Sequence, residues 1–140
     1  MVLGVACIFT THGQEYSVIT TIESVVPMGI GRSRMISNKQ DVNLEEFTTE
    51  RKAGTDTEQG RVKRRDLKID NIEETKMLNF FSATGINFQN VASNDAIISS
   101  KLSQMAANGW ELVFVVSGVE SDGGETDLQG IFITRYIFRR

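Results

Sequence analysis

The sequence predicts an α+β fold: an antiparallel sheet of three to five strands with one or two helices on one face, a β-α-β-β core carrying an insertion. Three observations predict it. Residues 15–26 and 131–140 are rich in β-branched and aromatic residues and read as strands. Between them, residues 93–109 carry apolar side chains at helical spacing and end in Asn108-Gly109. Residues 110–120 then form an apolar run, separated from the last strand by a glycine-containing loop.

The composition bounds the function. The chain has 140 residues, the size of one domain, and 40% of them are hydrophobic, enough to build a core. A net charge of −3 and a pI near 5.2 argue against a general nucleic-acid binder. No apolar run approaches the roughly 18–20 residues of a membrane-spanning helix. One cysteine and one histidine leave no disulfide framework and no multi-cysteine metal site. The sequence therefore implies no cofactor and no metal.

Those two residues, Cys7 and His12, both lie in the N-terminal segment, where residues 2–10 form a short apolar run. Residues 1–13 read as a signal peptide cut after Gly13, with Thr11 at −3, although no Lys or Arg precedes the run. The other reading is a first strand of the domain, residues 2–9. Removal would leave a domain over residues 14–140 with neither Cys nor His, and so without a thiol nucleophile or an imidazole base. The location that follows is periplasmic or secreted if the segment is cut, and cytoplasmic otherwise.

Tyr16, Val18, Thr20 and Ile22 alternate with Ser17, Ile19, Thr21 and Glu23, which predicts a strand ended by Pro27 and Gly29. In the loop that follows, Gly29 and Gly31 expose backbone N–H groups and Arg32 and Arg34 add positive charge. This combination suits a phosphate or carboxylate, though it matches neither the dinucleotide fingerprint nor the P-loop. The alternative is a turn leading into an edge strand over residues 32–37 with its arginines in solvent. Residues 27–70 form a polar insertion, with a hairpin expected around a loop at 53–60. Its basic run at Arg61, Lys63, Arg64 and Arg65 is offset by neighbouring acids, and no aromatic residues interleave for base stacking, so a solvated ribbon is expected rather than a nucleic-acid patch.

Asp70 followed by Glu73 has the spacing of a capping box and predicts a helix over 71–83, with Ile72, Met77, Leu78 and Phe81 on one side. Phe81 is expected in the core with Phe80; a ligand pocket lined by Phe80, Phe81 and Phe88 is the alternative. The next helix is expected to start at Ser93 or Asn94 and to bury Ile98, Leu102, Met105 and Ala106. Gly109 suits the left-handed position after its end, and Trp110 then contacts Met105 as a packing clamp. Residues 113–116 are apolar on both faces and predict a central strand. Asp122, Glu125 and Asp127 sit in the next loop, where a solvated acidic tip is expected; a bound calcium ion is the alternative, although the spacing does not match the EF-hand loop.

Gly109-Trp110-Glu111-Leu112-Val113, preceded by a helix and followed by the closing Tyr136-Ile137-Phe138-Arg139-Arg140, resembles a family of small bacterial domains of unknown function. Those domains share this helix-to-strand joint and the terminal aromatic-basic strand, and open on a strand like Tyr16-Ser17-Val18-Ile19. The resemblance covers about residues 92–140 plus the first strand. It implies the β-α-β-β core and carries no catalytic residues. The chain as a whole resembles envelope-associated bacterial proteins.

These readings converge on a non-catalytic module of the bacterial cell envelope that binds a protein or a small anionic ligand, with Arg32, Arg34, Gly29 and Gly31 as candidate contacts and Trp110, Gly109, Met105 and Phe81 as structural residues. Two alternatives stand: a protein that self-associates as a homodimer through a sheet edge, and a hydrolase using Glu111 and Glu120, the two acids in apolar surroundings.

Overall fold

The structure, a computed structural model, describes residues 13–25, 33–56, 63, 65–120 and 130–140. The N-terminal run with Cys7 and His12, the loop bearing Gly29, Gly31 and Arg32, and the acidic loop at Asp122, Glu125 and Asp127 lie outside them. The described elements are, in order, β1 (Tyr16–Ser24), β2 (Arg34–Asn38), a 3-10 turn (Leu44–Phe47), β3 (Arg51–Lys52), β4 (Thr55–Asp56), β5 (Ile72–Lys76), β6 (Phe81–Ser82), β7 (Gly85–Ile86), α1 (Phe88–Ala107), β8 (Glu111–Glu120) and β9 (Ile131–Arg139). The architecture is α+β and rich in strand. Five strands form one antiparallel sheet in the order β5-β2-β1-β9-β8, while β3-β4 and β6-β7 are small hairpins.

β1 and β9 pair along their whole length, from Tyr16 opposite Arg139 to Ser24 opposite Ile131. Side chains alternate across a strand, so this register fixes the faces. Ile19, Thr21, Tyr136 and Phe138 share the face that receives α1. Ile19 and Phe138 are each 1% exposed and form the core with Met35 and Met77. Ile97, Ile98, Leu102 and Met105 of α1 pack onto them, together with Trp110. Their spacing places them on one stripe of the helix.

α1 begins at Asn87, earlier than the predicted Ser93 or Asn94: the Asn87 side chain accepts from the backbone of Gln89 and Asn90, each at 3.1 Å. Asn94 instead lies inside the helix and is fully buried. Its Oδ1 accepts from Leu78 N at 2.8 Å, and its Nδ2 donates to Leu78 O at 2.7 Å and to Glu23 Oε1 at 2.8 Å. A second buried link joins Ser24 N to Ser33 Oγ at 2.9 Å and Ser33 Oγ to Asn79 Oδ1 at 2.7 Å. Asn90 Nδ2 then holds Asn79 O at 2.8 Å. The segment before β6 is thereby fastened between the sheet and the first turns of α1.

Four further expectations are corrected. Residues 72–76 form strand β5, not a helix: they pair with β2 from Asn38 opposite Ile72 to Arg34 opposite Lys76. The ladder that β2 needs outweighs a local capping pattern, since tertiary pairing overrides propensity. For the same reason β2 is an interior strand rather than an edge. β8, predicted to be central, is the outer strand of the sheet. The hairpin expected around a loop at 53–60 is replaced by a shorter one, β3-β4, turning at Ala53 and Gly54 with φ of 50° and 82°, and residues 65–67 form a turn rather than a return strand.

Replacing Asn94 with Ala strands both backbone groups of Leu78 without their partner. We expect a loss of about 2–4 kcal/mol in denaturant unfolding, comparable with the roughly 3–5 kcal/mol expected for Phe138→Ala in the core. A loss below about 0.5 kcal/mol for Asn94→Ala would show that the polar latch is not a structural element.

Candidate functional site

Two features can engage another molecule: a polar cleft at one end of the sheet and the open edge at β8. The cleft arises because β1 outruns β2. The β1-β2 ladder stops at Ile19 opposite Ser37, while β1 continues back to Tyr16 and the chain after Asn38 turns aside, Lys39 N bonding to Asn71 O at 3.0 Å. The resulting cleft has a volume of about 650 Å³ and is lined by Ser17, Ser37, Lys39, Lys101, Trp110 and Arg140, among others.

Its walls are ion-paired. On one side Glu73 bridges two lysines, with Lys101 Nζ at 2.8 Å and Lys39 Nζ at 3.0 Å. The hydrogen bonds from Lys101 and then Lys39 pull the Glu73 carboxyl down to about 2. On the other side Arg140 Nε meets Glu15 Oε2 at 2.7 Å, and the guanidinium lies 4.4 Å from the centroid of the Trp110 ring. The Trp110 position follows from the end of α1. Gly109 takes φ +81°, Gly109 N bonds to Ala106 O at 3.0 Å and Trp110 N to Met105 O at 3.0 Å. This is the two-bond Schellman ending. It sets Trp110 against the core and leaves a face for Arg140. The cleft is polar and internally charge-matched, a chemistry that suits hydrogen bonding to a small polar molecule.

Glu23 is the one carboxyl among the described residues whose pKa is pushed upward. Burial raises it, Asp95 adds to this, and the Asn94 hydrogen bond opposes it. Glu23 does not line the cleft. Burial likewise raises the Tyr136 hydroxyl, partly offset by the nearby Thr21 hydroxyl. Thr21 Oγ1 lies near Tyr136 without hydrogen-bond geometry and is the one buried side-chain polar atom without a partner among the described residues.

The candidate contacts are dispersed. Arg34 Nε pairs with Glu74 Oε2 at 3.2 Å, on the sheet face away from α1 and outside the cleft. Gly29, Gly31 and Arg32 are outside the described residues. Phe81 is partly buried in β6, Phe80 packs edge-on against Phe132 at 5.7 Å, and Phe88 is exposed; none of the three lines the cleft. Glu111 and Glu120 sit at opposite ends of β8, about 30 Å apart at strand spacing. That is several times the separation of a carboxylate pair that shares a glycosidic bond. Glu111 is moreover held by Arg139 Nε at 2.9 Å.

The edge at β8 is the feature that sequence reasoning missed. Among the described residues β8 pairs with β9 on one side only, and all ten of its residues are exposed. Phe114 is 60% exposed and Val119 63%, and Leu112, Val113, Val115 and Val116 are exposed with them. α1 packs its apolar side chains over β1, β2 and β9, and among the described residues the side chains of β8 stay exposed. The opposite edge is built differently: β5 has five residues, three of them charged, and Glu73 and Glu74 are ion-paired. Short charged edges resist strand addition, whereas long apolar ones invite it. Between Glu111 and Glu120, β8 carries no charge and no proline, only a register shift at Val113.

The Glu73 carboxyl has a folded pKa below its ordinary 4.5, so the stability it contributes is present above 4.5 and is lost as the pH falls toward 2. We expect Glu73→Gln to flatten the acid limb of a pH–stability curve in that window, and to cost only about 0.5–1 kcal/mol at neutral pH because the group is exposed. Glu23 has the opposite sign: its folded pKa is raised, so ionisation destabilises the fold as the pH rises above 4.5. Glu23→Gln should therefore raise Tm at pH 7, a gain that disappears below 4.5. An unchanged Tm at pH 7 would contradict this account of Glu23.

Comparison with known proteins finds no family model that matches this chain, no curated protein similar to it and no solved structure that resembles it.

Proposed function

We propose that this chain is a non-catalytic, protein-binding module of the bacterial cell envelope that engages its partner by strand addition at β8. The observation that carries the reading is the contrast between the two sheet edges: β5 short, charged and ion-paired, β8 long, uncharged between its terminal glutamates and open among the described residues. An edge strand of this kind is a template for an extended partner, which gains main-chain hydrogen bonds from the open ladder and contacts for alternate side chains. Envelope location is supported by the apolar run at residues 2–10 ending in small residues, and by the resemblance at residues 109–113 and 136–140. The hydrolase reading is not favoured, because Glu111 and Glu120 stand at opposite ends of one strand.

A photoreactive residue in place of Val119, expressed in the native host, should crosslink protein in the envelope fraction, and one in place of Glu74 on the opposite edge should not. Intact mass in the same fraction should match a chain starting at Gln14. Crosslinking from neither position, or equally from both, would refute the β8 reading. A full-length mass confined to the cytoplasm would refute the location.

A further inference from the structure

We propose that the partner at β8 is a second copy of this chain, docked antiparallel about a two-fold axis that passes through Ser117 normal to the sheet. The two five-stranded sheets then become one sheet of ten strands. This inference rests on the reading of β8 as the docking edge and adds the identity and register of what occupies it.

The ladder between β8 and β9 fixes which residues share a face. Beyond the irregularity at Val113, Val115 is opposite Tyr136, Ser117 opposite Thr134 and Val119 opposite Phe132, all on the α1 side. Phe114, Val116, Gly118 and Glu120 lie on the other side, opposite Ile137, Arg135, Ile133 and Ile131. An axis normal to the sheet keeps each face on its own side, so residues pair only within a face. Centring on Ser117 pairs like with like on the α1 side. Val115 meets the partner's Val119, and Ser117 meets its own copy. On the other face, Val116 meets the partner's Gly118, and Phe114 meets the partner's Glu120. Centring one residue earlier or later would set Val115 or Val119 against Ser117, an apolar group against a hydroxyl.

Three observations support this register. The Ser117 and Thr134 hydroxyls are hydrogen-bonded at 2.8 Å, so the two-fold extends them into a row of four hydroxyls flanked by valines. Gly118 leaves room for the facing Val116: a Cβ built there meets only Ile133 Cγ2, at 3.7 Å. The charges also match. Arg135 is exposed, and among the described residues neither it nor Glu120 has an ion-pair partner. In the dimer the partner's Glu120 lies two strands over and one row along from Arg135, about 12 Å between Cα atoms at sheet spacing. That is within the joint reach of the two side chains, across the gap left by the partner's Gly118. The six apolar side chains of β8 and Phe132 are between 37% and 63% exposed, on the two faces of the strand.

The test combines mass with crosslinking, in the full chain with Cys7→Ser. Light scattering should give twice the 15.6 kDa chain mass. Glu120→Lys sets a lysine within reach of the partner's Arg135 in place of the carboxylate; it should raise the dimer dissociation constant about 10-fold or more and leave the far-UV spectrum unchanged. Ser117→Cys places two sulfurs on the axis and should form an intermolecular disulfide under mild oxidation. Val115→Cys places them four residues apart along the strand and should not. A dimer that Glu120→Lys leaves intact, or equal crosslinking at both cysteines, would overturn the proposal. A monomer whose β8 photocrosslinks only a different protein would also overturn it while leaving the edge reading in place. A monomer whose β8 captures nothing would overturn both.

Discussion

The pairing of β1 with β9 is the contact on which the rest of this structure depends. It joins residues near the two ends of the described chain, with Glu15 and Arg140 exchanging two backbone hydrogen bonds and an ion pair. It sets Ile19 beside Phe138 and so defines the face that α1 must cover. β2 and then β5 are added on one flank, and β8 on the other. Closing so long a loop is entropically costly before any contact offsets it. The local units that lower this cost are α1 with its Schellman ending and the β8-β9 pair that follows it.

That order of assembly explains what was legible in the residues. Period-2 alternation in β1 and β9, and the helical spacing that ends at Asn108-Gly109, are set by neighbours in sequence, and the α+β class follows from them. β5 was not legible, because Asp70 and Glu73 imitate a helix start while the need of β2 for a second neighbour arises far earlier in the chain, at Arg34–Asn38. Asn94 looked like a cap because its amide suits one. Its actual partners, Leu78 and Glu23, come from two other segments. The cleft was equally hidden, since it exists only where β2 departs from β1 and where Glu15 and Arg140 meet.

β8 is the instructive case. A run that is apolar on both faces describes a strand buried in the middle of a sheet, and it equally describes a strand waiting for another chain. Periodicity does not separate the two. The opposite edge does, because this protein places charge and ion pairs along β5 and keeps charge off β8 between its terminal glutamates. The proposed ten-stranded dimer would return β8 to the interior position that its composition suggests.

Amide hydrogen exchange along β8 as a function of protein concentration tests this account most directly. If the outer ladder of β8 is closed by a second copy, the outward-facing amides between Phe114 and Glu120 should approach the protection of those in β9 at high concentration and lose it on dilution. Exchange at those amides that stays fast, and far above β9, at every concentration would contradict it.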